Sequence, residues 1–481
     1  MDHILYWNAV ALEANRRDFS NVPATDKPMS EQGGPTLSSR ALAIVHLAMY
    51  DAHAGAVNNA ATLPRYLSAP LNPPAGASAA AAVAAAAHAC LSALYKRQRP
   101  HFDLALQAAG LSGAGVAAGS DFGRAVAKAL LTDRGGDPSG HSDGYSASNA
   151  RGRNRVDPAD PSKGYHAPFY GAGSKCFAVT ARHGLDVPPQ PGDAEYLTAL
   201  KQVRGKGIAP ELMGTVPAGH PKRTVDETLV GVYWAYDGPR ELGTPPRLYN
   251  QIVREIAMQQ SNDVDKNARL FAFVNAAMGD AGILAWDQKY IHDFWRPVLG
   301  VREHDASMGP AATTPTSNID DECDPNWLPL GAPASNSAER NFTPPFPAYP
   351  SGHATFGAAA FHVVRLFYGV PAGNRADDVV YKGPFVSDEC NGVTRDNTGA
   401  VRPRHARNFP RGLWQAIEEN GFSRVWLGVH WSFDAFALAS NGKPDLTRNI
   451  GGVPLGLRIA EDIFSAGGGK APAKSAVGPR T

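Results

Sequence analysis

The chain of 481 residues is 43% hydrophobic and 19% charged, ordinary proportions for a globular protein with a sizeable core. Its formal net charge of +1 gives no electrostatic reason to expect nucleic acid or an anionic membrane surface as a partner. Cys90, Cys176, Cys323 and Cys390 lie far apart with no C-x-x-C pair. This argues against a zinc site or a dense disulfide framework and suits a reducing compartment, while leaving a single bridge such as Cys323 with Cys390 open.

The N-terminus has neither a basic region nor a long apolar one, so no secretory signal is visible. A cytoplasmic location is expected, with non-classical export left open. Apolar periodicity predicts helices over 4–17, 37–53, 77–97 and 115–132. The third is mostly alanine, the best helix former, and is too weakly apolar to span a membrane. From Asp133 to Pro221 glycine, proline and isolated charges dominate, and an irregular stretch of that length is usually functional or wraps another part of the fold. Further helices are predicted over 227–236, 245–258, 268–294, 354–368, 411–426 and 455–464. The class expected is all-α, with an N-terminal bundle and long wrapping loops over 1–221, a second bundle carrying the site over 222–466, and a disordered tail over 467–481. Oligomeric state is silent.

Three segments carry chemistry. In the first, Pro347 to Gly357, an extended approach ends at Pro350 and an apolar stripe begins with Phe356, Ala360, Val363, Val364 and Phe367. Ser351, Gly352 and His353 therefore start a helix, where free backbone N–H groups and the positive dipole end favour an anion. A capped helix with a surface histidine is the ordinary explanation. The same tetrapeptide recurs at Pro138-Ser139-Gly140-His141, but with no apolar stripe behind it, and reads as loop.

In the second segment, Trp286 to Pro297, Lys289 and Arg296 are seven residues apart, two turns of helix or ~10 Å along one face. Pro297 is expected to stop that helix directly after Arg296. Two surface cations on an amphipathic helix would explain the pair equally well. In the third, Ser423 to Asp434, His430 and Asp434 are four apart, a spacing at which the carboxylate can orient the imidazole. Arg424 and His430 are six apart, so if both serve one site the chain must break near Gly428. A histidine among Val429, Trp431 and Phe433 is otherwise most simply a core residue. Together, one lysine, two arginines, a Ser-Gly helix start and two histidines describe a pocket for a tetrahedral oxyanion, phosphate or vanadate.

K-x6-R-P, P-S-G-H and S-R-x-x-x-G-x-H-x-x-x-D, in this order, resemble the vanadium-dependent haloperoxidases and the type 2 phosphatidic-acid phosphatase superfamily that shares their site. Tyr6-Trp7-Asn8, Leu37 to Leu42, Tyr233 to Gly238, Pro344 to Tyr349 and Gly451 to Gly456 look like the chloroperoxidase subgroup first known from fungi. The likeness covers most of the chain, is thinnest from Asp133 to Pro221, and between Val379 and Arg411 this chain is shorter than fungal members. The resemblance implies vanadate as cofactor, with phosphate able to occupy the site in its absence. It implies His430 as the axial ligand to vanadium, oriented by Asp434, and His353 facing it as acid–base. Lys289, Arg296, Ser351, Gly352 and Arg424 would hold the oxygens, Lys289 would polarise peroxide, and Asp237 would pair with Arg424. The substrates implied are hydrogen peroxide, halide (chloride or bromide) and small organic acceptors, and the product is hypohalous acid. Trp286 and Phe346 suit a halide pocket; bromide-selective relatives carry histidine where Phe346 stands. The alternative enzyme is an acid phosphatase with His430 as nucleophile, for whose leaving group the aromatic wall is expected to leave little room. A non-catalytic oxyanion-binding protein is the third reading.

Overall fold

The computed structural model describes residues 2–18, 30–69, 71–313, 315 and 317–480. The first half of the chain forms α1 (His3–Arg17), α2 (Gly34–Val57), α3 (Ala79–Leu94), α4 (Arg99–Ala108), α5 (Val116–Asp133), α6 (Tyr170–Gly173) and α7 (Ala194–Lys206). The second forms α8 (Val225–Tyr233), α9 (Pro245–Gln259), α10 (Val264–His292), α11 (Pro297–Arg302), α12 (Gly352–Phe367), α13 (Leu413–Trp426), α14 (Ser432–Ala435) and α15 (Gly452–Ala466). The protein is all-α: 48% helix against 3% strand, the latter made up of isolated bridges and two short antiparallel ladders, Phe385–Val386 with Ala406–Arg407 and Ala437–Leu438 with Pro444–Asp445.

Local chemistry sets the helix starts. Asp2 caps α1 by accepting the Ile4 and Leu5 N–H groups, Ser78 caps α3, and Thr224 with Glu227 forms a capping box on α8. The helices expected from periodicity are present, with ends shifted by a few residues. The stretch from Asp133 to Pro221 is less irregular than its composition suggests, because α7 lies within it. Tyr196, Ala199, Leu200 and Val203 form a buried stripe there at helical spacing, too short to stand out among the surrounding glycines and prolines.

Helix α10 is the centre of the molecule, with α2 on one side and α12 on another; α12 packs in turn against α13 and α15. One apolar core runs through both halves, from Trp7 and Leu42 through Phe271 to Phe361 and Ile459. Among the described residues α10 alone is long and apolar enough to cross a membrane, and 94% of its most apolar window is buried inside the fold. The pairing of α12 with α15 depends on two glycines. A methyl group on Gly452 would come within 2.5 Å of the Ser351 carbonyl, and one on Gly456 within 2.5 Å of the Thr355 carbonyl. The two backbones can meet there only because nothing stands between them.

The wrapping segments are held by polar clamps. Buried Asp280 on α10 accepts the N–H groups of Phe177, Ala178 and Val179 at 2.5–2.9 Å, and burial pushes its carboxyl up to about 6. Asp280→Ala would strand three buried donors at roughly 1–3 kcal/mol each before relaxation, so a loss of about 3 kcal/mol in urea denaturation is expected. A loss below about 0.5 kcal/mol would show that the clamp is unimportant.

The disordered tail expected over 467–481 is corrected by the structure for residues 467–480. The carbonyl of Val477 accepts from the Cys176 N–H, the Ser475 N–H reaches the Phe177 carbonyl, and Arg480 meets Asp287 at 2.8 Å. The tail completes backbone bonding for the irregular 176–179 segment, which its Gly, Ala and Lys composition does not reveal. All four cysteines are buried and free.

Candidate active site

Ser351 is the N-cap of α12: its side chain accepts the Ala354 N–H, and its own N–H donates to the Asp434 carbonyl at 2.8 Å. Gly352 and His353 follow as the first helical residues, as the sequence predicts. A methyl group on Gly352 would sit 3.2 Å from the Trp286 ring, so a larger residue here would press on the aromatic wall.

The expectation that Lys289 and Arg296 share one helix face is corrected. Helix α10 ends at His292, and Asp293 turns left-handed (φ 48°), its N–H bonding the Lys289 carbonyl. Arg296 is instead the extended N-cap of α11, with Pro297 at the first helical position. The physical cause is the bias that proline imposes on its predecessor: Arg296 cannot end a helix in the α conformation, so the break moves upstream. The two cations meet by a turn of the chain, not by two turns of helix.

Lys289 is fully buried and donates to the carbonyls of Pro347, Ala348 and Pro350 at 2.6–3.1 Å. Arg296 donates to the Phe346 and Val429 carbonyls and, at 2.9 Å, to His430 Nε2. The Phe346 ring lies 5.0 Å from the Lys289 ammonium and 4.9 Å from the Arg296 guanidinium. The aromatic wall thus presents its electron-rich face to both charges.

The third segment breaks where expected. Helix α13 ends at Trp426 and Gly428 takes φ +73°, which lets the chain reverse and bring His430 back beside Arg424. The pair His430 and Asp434 does not lie on one helix, however. Trp431 is extended, and Asp434, in the four-residue α14, accepts both the Trp431 N–H and His430 Nδ1 at 2.8–2.9 Å. With Nδ1 donating, Nε2 is left as the acceptor nitrogen, which here receives the Arg296 N–H.

Arg424 is bidentate to Asp237, at 2.8 and 2.9 Å, across 187 residues of sequence. Asp237 arrives on the loop after α8. The same loop provides the Ala235 carbonyl, which lies 2.6 Å from His353 Nε2, while the Asp237 carboxylate is 3.9 Å from that nitrogen. His353 is therefore a neutral imidazole donating from Nε2, and its basic nitrogen is Nδ1.

Burial dominates the electrostatics. It lowers Lys289 well below the usual ammonium range, reinforced by Arg296, and holds Arg296 at about 9. Burial and Arg424 lower His353 to about 3; burial and Arg296 lower His430; burial raises Asp434 to about 7. Every shift disfavours charge, and the cations are strained toward deprotonation. Neither Lys289 nor Arg296 forms an ion pair with a carboxylate among the described residues, and Arg296 Nη2 and Arg424 Nε are buried without a partner. An anion with several acceptor oxygens would relieve both deficits. The donor set (guanidinium, ammonium, backbone N–H and one imidazole lone pair) fits vanadate or phosphate, and it does not fit a bare cation.

Above this floor opens a cavity of about 720 Å³, bordered by Asp237, Gly352, His353, Arg424 and His430 below and by Trp286 and Phe346 at the side. Trp286 and Phe346 stand 4.8 Å apart. The cavity is larger than the aromatic wall suggests, so lack of room does not exclude a phosphoester leaving group. His166 carries no signal in the sequence. Its ring packs against Trp286 and Phe346 at 6.0 and 6.1 Å, its N–H donates to Pro345, and its carbonyl accepts from the Trp286 indole and Tyr290. It thus fixes both rings of the wall, yet it sits in a segment with no periodicity to signal it. The loop that repeats the motif does not join the oxyanion floor, but its residues Ser139, Gly140 and His141 border the outer cavity.

Comparison with known proteins agrees with this geometry. The vanadium chloroperoxidase N-terminal domain matches residues 1–163, and the VCPO second helical-bundle domain matches residues 269–444. The vanadium chloroperoxidase of Curvularia inaequalis is 35% identical over an alignment covering 97% of this chain and 90% of that protein. Among solved structures, a bacterial vanadium-dependent iodoperoxidase superposes with a TM-score of 0.59 at 17% identity, covering 96% of each chain. A bacterial vanadium-dependent chloroperoxidase in its holo form gives 0.58 at 14%, covering 92% of this chain and 94% of that one. At those identities the two structures speak to the fold. The chain belongs to the vanadium chloroperoxidase family, within the vanadium-dependent haloperoxidases. It is accordingly an enzyme whose class uses hydrogen peroxide and halide, and the phosphatase alternative gains nothing from these relatives.

Proposed function

We propose that this chain binds vanadate between His430 and the helix start at Ser351–His353, and oxidises chloride and bromide with hydrogen peroxide. The observation that carries the reading is the convergence of unpartnered, buried cation N–H groups on an imidazole oriented by a carboxylate, with a second, neutral imidazole close by. His430 Nε2 would hold vanadium. Arg296, Arg424, Lys289 and the Ser351–Gly352 helix start would hold the oxygens, and phosphate would compete for the same donors. Vanadate bound there supplies a Lewis acid that activates peroxide without changing oxidation state.

The protein's own part is proton handling and exclusion of water. His353 Nδ1, the basic nitrogen, takes a proton from hydrogen peroxide as it enters and can return it to the departing oxygen. The balance is one peroxide, one halide and one proton giving hypohalous acid and water, the halide losing two electrons to the O–O bond. Lys289 places positive charge beside the reacting oxygens, and the two-pronged contact with Asp237 holds the Arg424 guanidinium in place. Trp286 and Phe346, held by His166, keep the halide side dry, so these charges act in a weakly screened medium.

Purified protein loaded with vanadate and given peroxide with each halide should halogenate a dye, with no comparable phosphoester hydrolysis. Bromide should react faster than chloride because it is easier to oxidise. Phe346→His admits water and a competing hydrogen-bonding group, and should lower chloride turnover about tenfold (~1.4 kcal/mol) with a smaller loss for bromide. No chloride turnover by the wild type at any pH, at full vanadate loading, would remove the chloride assignment.

A further inference from the structure

A halide and a peroxide need little room: a water molecule takes about 30 Å³ in the liquid, and neither reactant is much larger. The cavity over the floor measures about 720 Å³, within the ~300–1,000 Å³ typical of pockets for drug-sized ligands. Its outer half is built from segments that the oxyanion chemistry does not use. Leu37, Phe342 and Pro345 give it apolar walls, and Lys163, Tyr165 and the Gly140–His141 loop supply its polar rim. That rim is anchored: the Gly140 carbonyl accepts the Ala167 N–H, the Lys163 ammonium lies 4.9 Å over the Phe342 ring, and Tyr165 packs on Tyr145.

We infer that this outer cavity seats the organic acceptor, a phenol of more than one ring, and that halogenation takes place inside the protein. The inference rests on the haloperoxidase reading above. Ring faces and proline select a flat apolar body, electrophilic halogen requires an electron-rich carbon, and the donors of Lys163 and Tyr165 match a phenolic oxygen. In the step itself, a carbon–halogen bond forms as the hypohalous oxygen–halogen bond breaks. The ring carbon then loses its proton, which leaves with the hydroxide as water. The ring carbon is oxidised by two electrons as the halogen is reduced by two, so no other reagent is needed.

Gly140 gives the test. Its φ is not in the left-handed region, and a methyl group there would lie 3.4–3.5 Å from His166 and Leu37, in normal contact, so the backbone accepts a Cβ and a larger side chain adds bulk to this space. The assay uses vanadate-loaded full-length protein, bromide and peroxide, with phenol and 3-phenylphenol competing in one vessel. For the wild type, the isomer ratio of brominated 3-phenylphenol should differ at least threefold from that given by reagent hypobromous acid. In Gly140→Leu, turnover of 3-phenylphenol relative to phenol should fall at least tenfold, with the isomer ratio moving toward the reagent value. Lys163→Met provides a second variant at the rim and should shift the isomer ratio in the same direction. A reagent-like isomer ratio in the wild type, with competition unchanged within twofold in both variants, would mean that the oxidant escapes before reacting and would overturn the inference. Calorimetry without vanadate separates this from the parent reading: 3-phenylphenol should bind the wild type and lose at least tenfold in affinity in Gly140→Leu. No binding at 1 mM overturns the seat, whereas binding without halogenation of either phenol would sink the haloperoxidase reading alone.

Discussion

Replacing His430 by alanine is expected to lower halide oxidation by more than ~100-fold and to weaken vanadate binding by at least that factor. Substitutions one shell away from a metal typically cost ~10–100-fold in affinity, and His430 is the residue with an oriented imidazole nitrogen at the floor. Asp434 fixes which nitrogen that is, by accepting from Nδ1 while also accepting the Trp431 N–H. Asp434→Ala should therefore give the intermediate loss, through affinity. Equilibrium dialysis with vanadate, run beside the halogenation assay, reads both quantities. Tight binding with full activity in His430→Ala would remove the residue from the centre of the site.

The second large effect concerns His353. Its Nε2 is committed to the Ala235 carbonyl and its imidazole is neutral across the working pH range, so Nδ1 is available for proton transfer without a competing charge. General acid–base groups contribute ~10²–10⁴-fold, and His353→Ala should lose turnover in that range. Vanadate affinity should change far less, because the oxygens are held by Arg296, Arg424, Lys289 and the helix start. Loss of affinity equal to the loss of turnover would make His353 a binding residue instead.

What the sequence reveals and what it hides follow from the range of the interactions. Ser351, Gly352 and His353 at a helix start are local features, written in a proline, a cap and an apolar stripe within twenty residues. The break at Gly428 is equally local, since Arg424 and His430 cannot share a face without it. Arg296 was misplaced because periodicity counts turns but does not register how strongly a proline acts on its predecessor. The pairing of Asp237 with Arg424 spans 187 residues, so no spacing argument reaches it, and resemblance alone suggested it. Nothing in the sequence marks His166, and the Gly140–His141 segment, legible as a loop, gives no sign there that it borders the cavity. They belong to segments held by contacts from far along the chain, the His166 N–H on the Pro345 carbonyl and the Ala167 N–H on the Gly140 carbonyl, not by any period of their own.

The glycine seam behind α12 has a mechanical meaning. The helix start that forms the oxyanion floor is clamped from the rear by backbone in direct contact with α15, at the Ser351 carbonyl itself. There is no compliant side chain between them to absorb a displacement. A disturbance at residue 452 or 456, well outside the pocket and without chemistry of its own, is passed on to the floor nearly undiminished. Tolerance to substitution in this molecule should therefore not fall off simply with distance from the reacting atoms. It should be as low along the unseen back of the helix as around the pocket in front of it.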